Sequence, residues 1–555
     1  MSNPVHNPPW KIIIGLKGLY VLVTNIRIHT KGKNHSYHGQ INKYSSYQKL
    51  LECLPSDGKP IFIFSDIPGP QIPGGIDGLM AARMCSILVK KHGKLKNYQS
   101  VFTRRVIQSK EELSKVSISL IKTSNKCHKI LSAHSDIKNV LIHQETPIQQ
   151  IYDEYSDPTV VFDEVKLHAW ENKVKQVKKQ ILEYIKKEHN HDLKELDYPQ
   201  MKGDLSEINE LYDMGMTCAG VYQEFELRNI VSKPTNKYFN AYAYSILKQN
   251  QQSSSLCRML LWLYQKYSLL ISNIKKIKDN NLILCSRFYN YSTVTGRIND
   301  YPNALQGLSK EARHCIRVRP GYVLLDFDVK SCEPTATAGI AGGEMAVLIQ
   351  QGDVYELTGE KILNRIDIPG ISTRELGKAV LPVYLNGGGA YTFREELGCS
   401  KENAAKIENI LQKMFIKTLA RVNELAVQAT TDDIVRWEFG GLKICQRLPI
   451  YPRWISPSKI ERTKRSILVQ GTSSLMLKRI VMDLPALLER YGIRWVLSVH
   501  DSILLEIPEA SAPEAVAAVK NMMDETIREF VGFDSDFIGC KIEDDWTKER
   551  PIGPD

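Results

Sequence analysis

Two apolar runs in the carboxy-terminal half each end on an aspartate, and they constrain the fold of this 555-residue chain more than any other feature. The run Gly321-Tyr-Val-Leu-Leu-Asp-Phe-Asp-Val-Lys-Ser-Cys-Glu-Pro334 reads as a strand that carries carboxylates to its exposed end, where an acid can meet a metal ion. Far downstream, Ile493-Arg-Trp-Val-Leu-Ser-Val-His-Asp-Ser-Ile-Leu-Leu-Glu506 repeats the idea, with a strand, His500-Asp501 at a turn, and a second strand. Taken singly, either aspartate is ordinary turn chemistry. Brought together, the pair would hold two divalent cations about 3.5–4 Å apart, the arrangement for in-line phosphoryl transfer.

Between these strands lies Ser372-Thr-Arg-Glu-Leu-Gly-Lys-Ala-Val-Leu-Pro-Val-Tyr-Leu-Asn-Gly-Gly-Gly389, helical in its first part. Arg374 and Lys378 stand four residues apart, so they share a helix face and can grip a triphosphate from one side. Read alone, the same pair is solvated surface. Over the whole chain, 73 Lys+Arg against 62 Asp+Glu leave a formal charge of +11, which suits a polyanionic partner. Hydrophobic content of 43% and charged content of 24% exclude disordered, collagenous and disulfide-scaffold classes. The length implies three or four domains of roughly 100–200 residues. The 11 cysteines include no CxxC pair, which argues against a zinc site or a secreted disulfide framework and for a reducing compartment. The apolar stretch from Ile12 to Val23 is interrupted by Lys17 and is too short to span a bilayer, so it reads as a buried strand or two in a cytoplasmic protein with no membrane segment.

From Trp10 to about Asp163 short β-branched runs recur at Lys11-Ile-Ile-Ile, Pro60-Ile-Phe-Ile-Phe, Val140-Leu-Ile and Thr159-Val-Val-Phe. Amphipathic stretches such as Leu79 to Lys91 separate them, giving an α/β pattern. The glycine-rich segment Gly69–Gly78 lacks the Lys-Ser/Thr of a phosphate loop and reads as a structural turn. After Asp163, an N-cap residue, Leu167, Trp170, Val174, Val177, Ile181 and Ile185 recur at helical steps. Lys173, Lys175, Lys178, Lys179, Lys186 and Lys187 fall mostly on the other faces, either as a solvated surface or as a contact for backbone phosphates. The polar stretches Lys187 to Asp204 and Gln249 to Ser255 read as loops.

The order of short motifs resembles that of family A DNA polymerases of the DNA polymerase I type, over about residues 285–550: Thr295-Gly296-Arg297, Asp328 with Glu333, Gly352-Asp353-Val354, Arg374 and Lys378 before a glycine cluster, Gln470-Gly471-Thr472, Val499-His500-Asp501 and a closing Trp546. The resemblance implies an α/β multidomain chain with a right-hand polymerase of palm, fingers and thumb. An amino-terminal α/β domain would precede it, resembling an exonuclease domain that has lost its acids. On this basis residues 1–162 form the amino-terminal domain, 163–284 a thumb-like helical region, 285–340 the first part of the palm, 341–470 the fingers and 471–555 the second part of the palm. The implied function is template-directed addition of deoxynucleotides to a primer 3′-hydroxyl by two-metal phosphoryl transfer, with primer–template DNA and deoxynucleoside triphosphates as partners. A processivity or replisome partner is left unspecified.

By the same resemblance, Asp328 and Asp501, with the backbone carbonyl of Val329, would hold two Mg²⁺ ions for which Mn²⁺ can substitute. Lys378 would act in catalysis, while Arg374, Lys378, Glu333, Tyr355 and Asn386 would bind the nucleotide and Arg297, Gln470 and His500 would touch the primer–template. Glu333 would be the steric gate that occupies the space of a ribose 2′-hydroxyl. The sequence departs from the family at Pro382, where an aromatic is usual, and there the helix is expected to kink or end, since a proline in a helix interior costs about 3 kcal/mol. Further departures are Asn386 for a tyrosine, Tyr355 for a histidine, Pro334-Thr335 for Leu-Arg and Ser502 for an acid. Asp326, on the same strand face as Asp328, stays an alternative metal ligand. A single-subunit RNA polymerase and a non-catalytic nucleic-acid-binding descendant are the competing functional readings. The first apolar strand, Ile12 to Tyr20, carries no acid, so no proofreading nuclease is expected.

Overall fold

The computed structural model describes residues 126–189, 267–301, 305–368, 371–397, 399–449 and 457–542, with isolated residues and the backbone of short strands before them. Trp546 and most of the thumb-like span, including both expected loops beyond His189, lie outside the described residues. At the centre is an antiparallel sheet of β1 (Tyr322–Val329), β2 (Arg494–Val499), β3 (Ser502–Pro508) and β4 (Ile538–Ile542), in the order β2-β3-β1-β4. The two-residue period of β1 sends Leu325, Phe327 and Val329 into the core, at 3%, 0% and 1% exposure, and turns Asp326 and Asp328 to the other face. The two acid-tipped runs of the sequence are therefore adjacent strands of one sheet.

Helices cover the core face and flank the open one. The basic helix α1 (Glu164–His189) starts where expected, with the Asp163 carboxylate accepting from Lys166 N at 2.9 Å. Its apolar stripe of Leu167, Trp170, Val174 and Ile181 is buried against the helix Ser268–Asp279. Following β1 come α2 (Cys332–Ala341), α3 (Val354–Leu363) and α4 (Thr373–Leu385). The long α5 (Pro457–Asp483) is buried on nearly every face from Ile467 to Leu477, where the hydroxyls of Thr472, Ser473 and Ser474 are satisfied by backbone carbonyls, and it packs on α2 and on α6 (Ala512–Val531). The expected boundary between 470 and 471 falls inside α5, one continuous element.

In the amino-terminal region the strands expected at Lys11 and Pro60 form, as Lys11–Leu16 and Ile61–Ser65, paired in parallel. Leu19–Lys31 returns antiparallel to the first. Three expectations need correction. The glycine-rich segment ends in a strand, Gly75–Asp77, beside Ile61–Ser65. Leu79 to Lys91 is helical only at its start among the described residues, and Val89–Lys91 is a strand paired with Lys94–Lys96. Val140-Leu-Ile is helical, continuous from Ser135–Val140 through the π turn Leu141–Glu145 into Thr146–Tyr155. Buried Ile137, Val140, Leu141, Ile148 and Tyr152 recur at helical steps there, and that longer period outweighs a local β-branched run.

The segment that ends at residue 162 packs into the core of the central sheet. Ile148, Tyr152, Val160 and Phe162 belong to the same core cluster as the central sheet, and the Tyr152 ring lies 4.9 Å from Trp495 and 5.6 Å from Phe288. Thr159–Val161 pairs with Ile283–Cys285, not with the amino-terminal sheet. The helical segment before it holds the hairpin Ile434–Phe439/Leu442–Arg447. There the Gln144 side chain donates to Lys443 O at 2.8 Å and accepts from Lys443 N at 2.7 Å, and Asp136 pairs with Arg436.

Candidate active site

β2 and β3 are joined by His500 and Asp501 alone, since Val499 pairs with Ser502. His500 takes a left-handed φ of 55°, a sparsely used conformation for a side-chain-bearing residue that suits a two-residue connection. Val329 N donates to Asp501 O at 3.1 Å, and Asp328 is the register partner of Ser502, so the end of β1 and the turn share one place. Asp326 pairs with Leu504 and Lys541, two steps further from the turn; Asp328 is the aspartate beside Asp501.

Burial, then the neighbouring Asp501 and Asp326 charges, push the Asp328 carboxyl up to about 7. Burial likewise lifts Asp501 to about 6, with Glu333 adding to the effect and Arg297 and Lys378 opposing it. Two hard oxygen acids held close, each disfavoured as an anion by its surroundings, form a donor set that a divalent cation would relieve. Among the described residues no group of three or more His, Cys, Asp or Glu is arranged to hold a metal.

Glu333 sits in the first turn of α2, just after Ser331 with a left-handed φ of 49°. Its carboxylate is clamped from two sides. Arg297 pairs with Oε1, and Asn386 Nδ2 donates to Oε2 at 2.5 Å. Arg297, Glu333, Tyr355, Pro382, His500 and Asp501 line one cavity of about 110 Å³. An adjoining cleft of about 710 Å³ is lined by Glu333 and Asn386 together with Thr295, Gln470, Lys459 and Arg462. The Tyr355 phenol is held protonated, first by burial and then by the Asp501 and Glu333 charges. His500 is shifted toward its neutral form by burial and by Arg297 and Arg313.

Helix α4 begins with a capping box, Ser372 and Glu375 each bonding the other's backbone. Pro382 does not end it. The helix runs on to Leu385, because the lost amide bond is confined to one carbonyl and Asn386 N still reaches Pro382 O at 3.1 Å. Of the expected phosphate-gripping pair, Lys378 is exposed, whereas Arg374 Nε donates to Asp353 at 2.7 Å and its guanidinium lies 5.9 Å from the Tyr355 ring centre. α3 and α4 meet backbone to backbone: a Cβ on Gly359 would stand 1.8 Å from Thr373 O, and one on Gly377 1.9 Å from Tyr355 O. Only glycine permits that approach.

Sequence reasoning passed over two groups. Lys478 is 3% exposed and pairs at 2.7 Å with Glu145, whose carboxylate also accepts from Asn290 Nδ2 at 2.7 Å. The pair lies beneath the turn that presents Arg297, where Ser474 Oγ donates to Gly296 O at 2.7 Å. The surroundings of Lys478 in sequence are mixed, with Gln470, Thr472, Ser473 and Ser474 before it and Arg479 directly after it, so no local pattern marks it as buried. The other is Arg465 of α5, which donates to the backbone of α4 and carries no pattern in sequence.

The family model for DNA polymerase family A matches residues 221–534 of this chain. The thermostable DNA polymerase I of Thermus filiformis is 28% identical over 253 residues, covering 43% of this chain and 30% of that protein. DNA polymerase I of Deinococcus radiodurans is 23% identical over 254 residues, and DNA polymerase theta of Caenorhabditis elegans 22% over 247. The matched stretches span about a third or less of those relatives' own length. In fold, the chain is similar to the POL domain of Pol1 from M. smegmatis, solved with DNA primer-template and dNTP, at a TM-score of 0.61 and 13% identity over 96% of this chain and 95% of that one. The right-hand polymerase fold expected from the motif order is thus present, and the chain belongs to DNA polymerase family A.

Proposed function

We propose that this protein is a template-directed DNA polymerase that adds deoxynucleotides to a primer 3′-hydroxyl. The observation that carries the reading is the meeting of Asp328 and Asp501 at the end of β1, beside a cavity lined by Glu333, Tyr355 and His500. Asp328 and Asp501, with the Val329 carbonyl, would hold two Mg²⁺ ions, or Mn²⁺ in their place. When bound, these ions supply charge neutralisation and a more acidic primer hydroxyl. The protein's own share is positioning. Lys378 meets the triphosphate and offsets charge on the leaving pyrophosphate, and Arg374 joins it by exchanging Asp353 for phosphate oxygens. Arg297, Gln470 and His500 line the walls where the primer–template end would lie, and the exposed lysines of α1 fit contacts to its backbone. The domain division follows the palm, fingers and thumb plan, amended so that residues 135–162 join the polymerase body. We infer a cytoplasmic setting from the scattered cysteines, which suit a reducing compartment.

Primer extension with Mg²⁺, comparing deoxy- with ribonucleotides on DNA and RNA templates, tests this reading. An RNA polymerase would prefer ribonucleotides, and a non-catalytic descendant would bind without extending. Glu333→Ala is expected to raise ribonucleotide relative to deoxynucleotide incorporation by about 10-fold to 100-fold, since the change removes a clash and not an attraction. Asn386→Ala, which frees one carboxylate oxygen of Glu333, should move the same ratio by less. An unchanged ratio in competition assays with both variants would place the gate elsewhere.

We also propose that the amino-terminal region has no nuclease activity. Purified protein given a mismatched 3′ end and Mg²⁺ or Mn²⁺ should leave it intact, because the sequence from Ile12 to Tyr20 offers no acid for two-metal hydrolysis. Metal-dependent excision that vanished on changing Asp66 or Asp77 would contradict this.

A further inference from the structure

Helix α4 carries Arg374 and Lys378 near its start, but its carboxy-terminal end is weak by sequence. Pro382 has no amide hydrogen to give the Lys378 carbonyl, and the last-turn carbonyls of any helix lack intrahelical donors. A side chain from another element makes up part of this deficit. Arg465 of α5 donates through Nε to Leu385 O at 2.6 Å and through Nη2 to Tyr384 O at 2.9 Å. A cation at a helix carboxy-terminus also meets the negative end of the helix dipole. Burial lowers the Arg465 guanidinium to about 10, with Tyr384 opposing the shift, so it keeps its charge at neutral pH.

The anchor is rooted in the core. Immediately after Arg465, Ile467, Leu468 and Val469 are 0% exposed in the core. By contrast, the amino-terminal half of α4 is bound to α3, through Arg374–Asp353 and the glycine contact at Gly359 and Gly377. One end of α4 is therefore tied to α5 by Arg465, with Asn386–Glu333 as a neighbouring tether, and the other end is joined to α3.

We propose that Arg465 is a positioning residue for nucleotide addition: it pins the carboxy-terminal end of α4 to α5 and so holds the helix that carries Lys378 in its working position. The proposal rests on the polymerase reading above. Its test compares wild type, Arg465→Met and Arg465→Lys in single-turnover addition of one deoxynucleotide with Mg²⁺, alongside primer–template Kd without nucleotide and Tm. In Arg465→Met the rate at saturating nucleotide should fall on the order of 100-fold, as misplacement of a reacting group by about an ångström does. Primer–template Kd should stay within about 2-fold, because phosphate contacts elsewhere set it. Arg465→Lys, with one charged donor in place of a fork, should recover part of the rate. If Arg465→Met does not fold, Arg465→Lys is read alone, and its rate must drop while Tm stays near that of wild type. A wild-type rate in the folded variant, even with a lowered Tm, assigns Arg465 a merely structural role and overturns the proposal. Wild-type protein that extends no primer overturns the polymerase reading and this proposal with it, an outcome seen before any variant is made.

Discussion

Asp328→Asn and Asp501→Asn are each expected to lower primer extension by at least about 10³-fold, because on the proposed reading each side chain holds a metal, and its loss removes several kcal/mol of transition-state charge stabilisation. Primer–template binding should be unchanged or slightly tighter. Each substitution removes a negative charge from the neighbourhood of phosphates, and backbone contacts elsewhere dominate affinity. Extension assays with titrated Mg²⁺ and Mn²⁺, beside an equilibrium binding measurement, separate the two quantities. Asp326→Asn is the control. Its register two steps from the turn predicts a much smaller loss, and the reverse ranking of Asp326 and Asp328 would move the metal site along the strand.

The second large effect lies away from the chemistry. Glu145→Ala should destabilise the protein by about 3–5 kcal/mol, the usual cost of leaving one member of a buried ion pair without its partner. Urea unfolding measures it. Burial already depresses the Lys478 ammonium, with Glu145 holding it up, and removing Glu145 leaves burial unopposed. The folded variant would then bind fewer protons at Lys478 than the unfolded chain, so its stability should rise with pH toward about 10, the unfolded lysine value, and its deficit against wild type should shrink. Replacing both residues by methionine should recover much of the loss. A chain begun at residue 163 lacks Glu145, Tyr152 and Phe162 together and should not fold, whereas the boundary drawn from sequence treats that cut as harmless.

That contrast shows what the sequence carried. The ends of β1 and the β2–β3 turn were readable because an apolar run that stops on an acid is a local pattern, and two such runs point at one another once placed in a sheet. The stripe of α1 was readable for the same reason, with Asp163 as its cap. What stayed hidden depends on partners far along the chain. Glu145 and Lys478 are separated by 333 residues, and Arg465 meets the end of α4 at a separation of 80. Nothing beside Val140 tells a reader that Ile137 and Ile148 share its face until the helix is in place. Pro382 misled in a simpler way: a proline weakens a helix locally, but Arg465 and Asn386 support the turn beyond it.

The Gln144 side chain has one more effect. The strand Leu442–Arg447 is the outer member of its sheet, and such a strand normally presents free amide and carbonyl groups that another polypeptide can adopt. By giving and taking one hydrogen bond at Lys443, the carboxamide of Gln144 reproduces the paired bonds of an added strand without being one. A single side chain thus closes the template at that point, and Gln144→Ala would reopen a place where copies of the protein could zip together during storage or heating.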